Sequence, residues 1–206
     1  MFKNNYNSIA HLYDSINNII FLKQSVKAQE DLIHSLPDEG HLLFIGGGTG
    51  TTLQKIENLK PQINITYIDA STRMVELSKK KSTNPKTVFI LGGIENIPDQ
   101  QYDIICTFFF LDLFEQPEIE MLFNQLHSHL KVNGNWLYAD FNVSKKWWQK
   151  GIEFIMFQFL KFTTQITSSR IGDYSFLFEK NGYLLLTKHY YYGEFIANAV
   201  YKKREY

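Results

Sequence analysis

Three glycines at alternate positions, Gly46, Gly48 and Gly50, follow the apolar run 42–45 and lead directly into a helical pattern. Glycine has no Cβ, so it adopts backbone dihedrals closed to other residues and lets a ligand lie against bare peptide N–H groups at the start of a helix. The turn therefore predicts a nucleotide-binding loop. On its own the signal is weak, because many surface loops also collect glycine.

A carboxylate at the end of the next strand-like run strengthens this prediction. The segment 63–68 has the β-branched, alternating character of a strand and leads into Asp69. In a parallel strand–helix–strand unit the tip of the second strand lies beside the first, so an acid there can accept both hydroxyl protons of a ribose. Asp69 could instead cap the helix that begins near Ser71. The glycines and Asp69 together favour the ribose.

The spacing of the glycines narrows the choice of nucleoside. A dinucleotide turn requires Gly or Ala where Thr51 stands, and a phosphate-binding P-loop requires a Gly-Lys-Ser/Thr ending that this turn lacks. S-adenosylmethionine remains as the favoured ligand. An NAD(P)-dependent oxidoreductase stays as an alternative, because it shares the sheet and the acid.

The elements around these residues alternate between strand and helix. Strands are predicted near 41–45, 64–68, 87–91, 103–109 and 135–139, with helices near 51–60, 71–82 and 117–131 between them. This alternation predicts an α/β fold with a doubly wound parallel sheet. An opening helix ends before Pro37, a last helix spans 173–180, and the runs 183–192 and 194–201 form a hairpin. Asn133-Gly134 is expected to form the left-handed exit of the helix 117–131.

From about residue 6 to its C-terminus the chain resembles the class I S-adenosylmethionine-dependent methyltransferases. Residues 42–50 are similar to the glycine motif of that family, residues 68–71 with Met74 to its ribose-binding acidic motif, and residues 92–98 to its adenine-contacting loop. Residues 102–111 are similar to its fourth strand, and residues 130–135 to the turn before its fifth strand. Residues 9–14 with Asn17 look like the start of the ubiquinone/menaquinone-type methyltransferases.

This resemblance implies a single domain over residues 1–206 with a mostly parallel seven-stranded sheet, a Rossmann-like methyltransferase fold, and an antiparallel strand in a C-terminal hairpin. Residues 1–40 become an N-terminal helical cap, and residues 145–170 an aromatic insert or lid. The cofactor implied is S-adenosyl-L-methionine. The residues that the resemblance assigns to its binding are Gly46, Gly47, Gly48, Gly50, Asp69, Ala70, Met74, Gly93, Ile94 and Phe108.

Two positions depart from the family pattern. Phe44 stands where the family carries an acid that helps to hold the methionine amino group, and Gly93 stands where it usually carries an Asp for the adenine amino group. Two lost partners of this kind, at about 1–3 kcal/mol each, weaken binding by one to several powers of ten. A cofactor-degenerate binding or scaffold protein is therefore a second alternative. We expect Phe44→Asp to raise the affinity for the cofactor.

Substrate-facing residues are expected where the carboxyl ends of the strands open. Tyr13, Asp112 and Trp147 are the candidates, with Asp112 as a base or an orienting group. The segment 145–166 carries more apolar residues than one helix face can bury, so the surplus is expected to cover a substrate as a lid or lipophilic pocket, or to contact a second subunit. No universal catalytic residue is predicted, because a sulfonium already supplies the leaving group.

The composition agrees with one soluble domain. The 206 residues are 44% hydrophobic, and 21 Lys and Arg balance 21 Asp and Glu, so no basic field attracts nucleic acid. Cys106 is the single cysteine, which predicts buried packing, no disulfide and a cytoplasmic location. Neither a signal peptide, a membrane span nor a metal site is predicted; peripheral membrane contact and a homodimer stay open. The expected function is methyl transfer to a small, lipophilic or aromatic molecule.

Overall fold

The computed structural model describes residues 24–143, 146–153 and 171–205. Tyr13, the first part of the N-terminal cap and most of the aromatic insert lie outside these ranges. The helices are α1 (Gln24–Ile33), α2 (Thr51–Leu59), α3 (Thr72–Lys81), α4 (Gln116–His129) and α5 (Ser175–Lys180), and residues 147–153 are also helical. The strands are β1 (Glu39–Ile45), β2 (Gln62–Asp69), β3 (Thr87–Leu91), β4 (Tyr102–Phe108), β5 (Leu130–Phe141), β6 (Leu184–Tyr191) and β7 (Ile196–Lys202).

All these strands join one sheet in the order β3-β2-β1-β4-β5-β7-β6. The first five pair in parallel, and β7 runs antiparallel to both β5 and β6. The predicted fold class is therefore confirmed. The chain runs outward from β1 in one direction to β3 and then returns to β4 on the other side of β1. Doubly wound folds bind ligands at such a switch point, beyond the carboxyl ends of the strands.

The central strand β1 feeds both faces of the core, because successive side chains of a strand point to opposite sides. Leu42 and Phe44 pack in a cluster with apolar residues of α1 and α2, whereas Leu43 and Ile45 pack in a second cluster with apolar residues of α4 and α5. Burial on both faces explains why this segment reads as a continuous apolar run. Cys106 of β4 is fully buried, as predicted.

The predicted helix exit at Asn133-Gly134 is wrong in position. Asn133 does take a left-handed φ of 63°, but α4 ends at His129 and Asn133 lies inside β5. Leu130 already pairs with Tyr102 of β4, so the strand begins as soon as the helix ends. The β4–β5 register then shifts between Tyr102 and Ile104. The left-handed residue therefore belongs to a bulge in the strand.

Across residues 24–143, 146–153 and 171–205, each helix is too short or too polar to span a bilayer. The same residues contain no cluster of three or more His, Cys, Asp or Glu side chains that could hold a metal ion.

Candidate cofactor and acceptor site

The turn between β1 and α2 carries the predicted glycines to the carboxyl end of β1. Gly46, Gly48 and Gly50 have φ values of 68°, 62° and 77°, which lie in the left-handed region that favours glycine. The N–H of Gly46 donates to the carbonyl of Ile68 (2.8 Å), so the turn is tied to the tip of β2. Gly50 is the N-cap of α2.

Gly48 differs from the other glycines of the turn in what surrounds it. No atom lies within 4 Å of a Cβ built on Gly48. Cβ atoms built on the other three would collide with the protein itself: Gly46 with the ring of Phe110, Gly47 with the ring of Tyr67 and Gly50 with the backbone of Ser78. The protein therefore needs those three glycines for its own packing, whereas Gly48 faces open space in which a ligand can approach the backbone.

The peptide of Gly48 is held in place from two directions. Its carbonyl accepts the hydroxyl of Tyr67 (2.5 Å) and lies 2.9 Å from Oγ of Ser78. Its N–H donates to Oδ2 of Asp69 (3.0 Å). Because both the N–H and the carbonyl of Gly48 are held, the backbone at this residue presents a preformed surface to a ligand. This reduces the ordering cost of binding.

Asp69 ends β2 beside this turn, as predicted. Its Oδ1 accepts the N–H of Ser71 (2.9 Å), and the carboxyl group is buried with 8% exposure. Ser71 caps α3 instead, because its Oγ accepts the N–H of Met74 (3.3 Å). Burial raises the pKa of Asp69 to about 6, although the bonds from Ser71 and Gly48 lower it. Because Ser71 and not Asp69 caps α3, the interpretation of Asp69 as a helix cap is wrong. Each of its oxygens keeps acceptor capacity for a ligand hydroxyl.

The other residues that the resemblance assigned to the cofactor are distributed along the same edge. Ala70 is exposed directly after Asp69, Met74 is buried in the first turn of α3, and Ile94 is half-buried. Phe108 differs from these because it packs inward, with its ring 5.5 Å from that of Phe44. The carboxyl ends of β1, β2 and β3 thus carry most of the assigned residues.

Phe44 is buried in an aromatic cluster on the face that α1 and α2 cover. Its exposure is 1%, and its ring meets Tyr67 (5.7 Å) and Phe108 (5.5 Å) edge to face. A carboxylate in this position would be surrounded by rings. The expectation that Phe44→Asp raises cofactor affinity is therefore not supported by the geometry, because an unpaired buried charge is costly.

At Gly93 the structure adds a residue that the sequence comparison missed. The N–H of Gly93 donates to Oδ1 of Asn96 (3.1 Å) within the 3-10 turn Ile94–Asn96. A Cβ built on Gly93 would lie 2.5 Å from Oε2 of Glu95. The exposed Glu95 carboxylate therefore lies next to the position that a side chain at residue 93 would occupy.

The segment after β4 is bent by an unusual backbone conformation. Phe109 has a φ of 52°, which is an outlier for a bulky side chain. Its N–H donates to the carbonyl of Ala139 (2.7 Å) on β5. The bend places the ring of Phe110 against Gly46, and the 3-10 turn Leu111–Leu113 follows. Phe110, which carried no sequence signal of its own, is thus the side chain of this segment that borders the glycine turn.

Asp112 lies at the carboxyl edge, but it is buried with 3% exposure, and its backbone N–H donates to Oδ2 of Asp140 of β5 (3.3 Å). Trp147, by contrast, is 86% exposed. The helical residues 147–153 are fixed to the β6–β7 turn: Trp148 meets Tyr192 edge to face (5.0 Å), and Nε2 of Gln149 donates to the carbonyl of Gly193 (2.8 Å). This turn lies beside the end of β5, so the start of the aromatic insert adjoins the candidate site.

A polar cavity of about 760 Å³ opens at the opposite edge of the sheet, between the amino ends of β1, β2 and β4 and the bulge of β5. An ion pair between Lys131 and Asp103 (2.7 Å) lies in its wall. Ligands of doubly wound folds bind beyond the carboxyl ends of the strands, so this cavity is separate from the candidate site.

Residues 42–134 match a family model described as a methyltransferase domain. Among curated proteins, the chain is 31% identical over 142 residues to a malonyl-[acyl-carrier protein] O-methyltransferase of Ilyobacter polytropus, with 66% of this chain and 50% of that protein covered. It is 30% identical over 94 residues to a demethylmenaquinone methyltransferase of Chlamydia trachomatis, with 45% and 41% covered. The chain thus spans half or less of the length of these relatives.

Among solved structures, an O-methyltransferase family protein from Burkholderia thailandensis superposes with a TM-score of 0.70 at 12% identity. The match covers 93% of this chain and 59% of that one. At this identity the likeness concerns the fold. The domain match, the curated relatives and the shared fold agree with one another, and the chain belongs to the class I S-adenosylmethionine-dependent methyltransferases.

Proposed function

We propose that this chain transfers the methyl group of S-adenosylmethionine to a small, lipophilic or aromatic acceptor. The observation that carries the proposal is the pairing of Gly48 and Asp69. Gly48 offers open backbone, and a buried carboxylate is fixed 3.0 Å from its N–H. An adenosine ribose has the two adjacent hydroxyls that such a carboxylate can accept.

The residues at the edge fit this cofactor. Asp69 would hold the ribose, and Gly48 would lie against the methionine portion. Glu95 supports binding of the adenine amino group in place of the Asp that Gly93 replaces. When bound, S-adenosylmethionine supplies an electrophilic methyl group on a sulfonium, whose departure as a neutral thioether needs no acid. The protein's own contribution is to orient the acceptor and to exclude water.

The lipophilic character of the acceptor is supported by the aromatic lining next to the site. Phe110 borders the glycine turn, and the exposed Trp147 begins the insert that adjoins the edge. The names of the relatives offer two kinds of acceptor, a malonyl group on a carrier protein and demethylmenaquinone. A malonyl group carries a carboxylate, whereas the second acceptor is a lipophilic ring compound.

A cofactor-free binding or scaffold role is the second candidate, and one observation favours it. Phe44 and Phe110 place apolar rings where polar anchors for the methionine portion are expected, one beneath the glycine turn and the other against Gly46. The methyltransferase and the scaffold role differ in whether the purified protein binds S-adenosylmethionine.

Thermal-shift measurements with S-adenosylmethionine, S-adenosylhomocysteine and NAD test the proposal. We expect the first two to raise the unfolding temperature and NAD to leave it unchanged. Because a ligand that binds only the folded state stabilises it by mass action, the shift should grow with ligand concentration. Stabilisation by none of the three supports the scaffold role. Stabilisation by NAD alone supports the oxidoreductase alternative, and either outcome contradicts the methyltransferase.

A further inference from the structure

Two carboxyl groups lie together at the ends of β4 and β5, out of contact with solvent. Asp112 belongs to the 3-10 turn that follows β4, and Asp140 is the second-last residue of β5. Their exposures are 3% and 0%, and the backbone N–H of Asp112 donates to Oδ2 of Asp140 (3.3 Å). Two adjacent buried carboxyl groups do not both ionise readily, because their negative charges repel each other and neither is solvated by water. The resting pair therefore holds one proton and one negative charge.

The surroundings of the pair contain phenols and no described cation. Tyr138 of β5 and Tyr174 ahead of α5 are the titratable groups that interact with both acids. Burial raises the pKa of both tyrosines, so they stay neutral. Within the described residues no Lys, Arg or His forms an ion pair with Asp112 or Asp140. Burial raises the pKa of both carboxyl groups, and the charge of Asp112 raises that of Asp140 further.

The two acids differ in how their oxygens are used. Asp140 Oδ2 accepts hydrogen bonds from the backbone N–H groups of Leu111 (3.1 Å) and Asp112 (3.3 Å). Asp140 Oδ1 accepts one from the backbone N–H of Phe141 (2.9 Å). Asp112 Oδ1 is buried and has no hydrogen-bond partner among the described residues. A buried acceptor without a partner is costly, and in a native structure it calls for an explanation such as a catalytic role. Asp140 is thus a fixed support, and Asp112 Oδ1 is the atom left for a substrate.

The chain path places Asp112 close to the glycine turn. The left-handed Phe109 turns the chain so that Phe110 lies against Gly46, and Asp112 follows two residues later in the same short turn. Backbone strain at a bulky residue persists where the surrounding structure fixes it, and it is concentrated at functional sites. The glycine turn and the acid pair are therefore linked by one rigid segment.

Resting on the proposed methyltransferase function, we propose that Asp112 is the general base of the reaction, that Asp140 is a positioning residue acting through it, and that the acceptor is a neutral hydroxyl compound such as a phenol or enol. Asp112 Oδ1 accepts the proton that the hydroxyl loses as its oxygen forms a bond to the methyl carbon. The electron pair of the broken carbon–sulfur bond stays on sulfur. The proton taken up by the pair afterwards passes to solvent.

The negative charge of the Asp112–Asp140 pair disfavours an acceptor whose methylated group is a carboxylate. A carboxylate needs no base, because it is already an anion, and it would meet a buried negative charge that no described cation offsets. A neutral hydroxyl gives Asp112 Oδ1 the hydrogen-bond donor that it lacks. The pair is therefore matched to an acceptor that loses a proton during the transfer.

The test compares 2-naphthol and 2-naphthoate, which share a ring system and differ in hydroxyl against carboxylate. Methyl transfer from S-adenosylmethionine is followed by mass spectrometry for the wild type, Asp112→Asn, Asp140→Asn and the control Asp103→Asn at the opposite edge. We expect methylation of 2-naphthol only, a loss of about 100-fold in kcat for Asp112→Asn, and no change for the control. Asp140→Asn should lower kcat and move the acid limb of the pH profile to lower pH, because it removes the competing charge.

Two readouts do not depend on turnover. Carbon NMR of labelled aspartate carboxyl groups should show two coupled groups titrating well above the ordinary range, and either Asn variant should abolish the coupling. Binding of S-adenosylhomocysteine, measured by calorimetry, should stay within twofold of the wild type in every variant. If the wild type does not bind S-adenosylhomocysteine, the proposed function itself is contradicted. Intact binding combined with equal methylation of both probes, methylation of neither, or an unchanged kcat in Asp112→Asn overturns the acid-pair proposal alone.

Discussion

At the tip of β2, Asp69 accepts N–H groups of Gly48 and Ser71, so backbone dipoles support its charge. Beyond β4 and at the tip of β5, Asp112 and Asp140 are buried together, and one oxygen of Asp112 has no described partner. The first arrangement is complete in the free protein and suits a ligand that is held. The second is incomplete and suits a group that must exchange a proton. We therefore propose that the two halves of one sheet edge separate cofactor binding from acceptor chemistry.

The largest effect is expected at Phe44, beneath the cofactor half. Phe44→Asp removes a ring from a fully buried aromatic cluster and places a charge there, so we expect the free energy of unfolding to fall by more than about 3 kcal/mol. Chemical denaturation measures it. Phe44→Leu is the control and should lose much less. Retained stability in the Asp variant, together with tighter binding of S-adenosylhomocysteine, would instead restore the expectation drawn from the family pattern.

Neighbouring glycines should give opposite results. Gly48→Val projects into open space, so we expect it to weaken binding of S-adenosylhomocysteine by at least about 100-fold while the circular dichroism spectrum is kept. Gly47→Ala collides with the ring of Tyr67 and should mainly lower the unfolding temperature. Calorimetry and thermal denaturation of both variants separate the two effects. Normal binding by Gly48→Val would mean that this glycine serves the turn alone.

The affinity for S-adenosylhomocysteine should depend on pH through Asp69. Its pKa is raised to about 6 by burial, and only the ionised form accepts both ribose hydroxyls. Affinity should therefore be full above pH 7 and fall about tenfold for each unit below 6. The neighbouring Tyr67 does not titrate in this range, because burial raises its pKa well above 10. Calorimetry from pH 5 to 8 measures the dependence, and Asp69→Asn should remove it.

A smaller effect is expected at the adenine end. Glu95→Gln removes the charge that we propose to contact the adenine amino group, and since Glu95 is exposed we expect a loss of only about threefold to tenfold in affinity for S-adenosylhomocysteine. Glu118→Gln on α4 is the matched control. S-inosylhomocysteine is the analogue of S-adenosylhomocysteine that lacks the adenine amino group. Calorimetry should give the same affinity for this analogue in the wild type and in Glu95→Gln. A difference there would exclude the assigned contact.

The placement of Asp69 beside Gly48 could be predicted because the two residues are close in the chain. The glycine turn, α2 and Asp69 form one strand–helix–strand unit, so spacing alone places Asp69 beside Gly48. Asp140 had no such signal, because it meets Asp112 only through the pairing of β4 with β5. Glu95 was missed for a related reason: a motif specifies a residue type at one position, whereas the Glu95 carboxylate approaches Gly93 from two residues away.

Calorimetric titration of S-adenosylhomocysteine into the wild type and Asp69→Ala tests the central claim most directly. Loss of two charge-assisted hydrogen bonds should weaken binding by about 2–3 kcal/mol, with the secondary structure unchanged by circular dichroism. Asp38→Asn, which alters an exposed ion pair with Lys60 at the opposite edge, should bind as the wild type does. Equal affinities for the wild type and Asp69→Ala would contradict the account, because the carboxylate at the tip of β2 would then not hold the ribose.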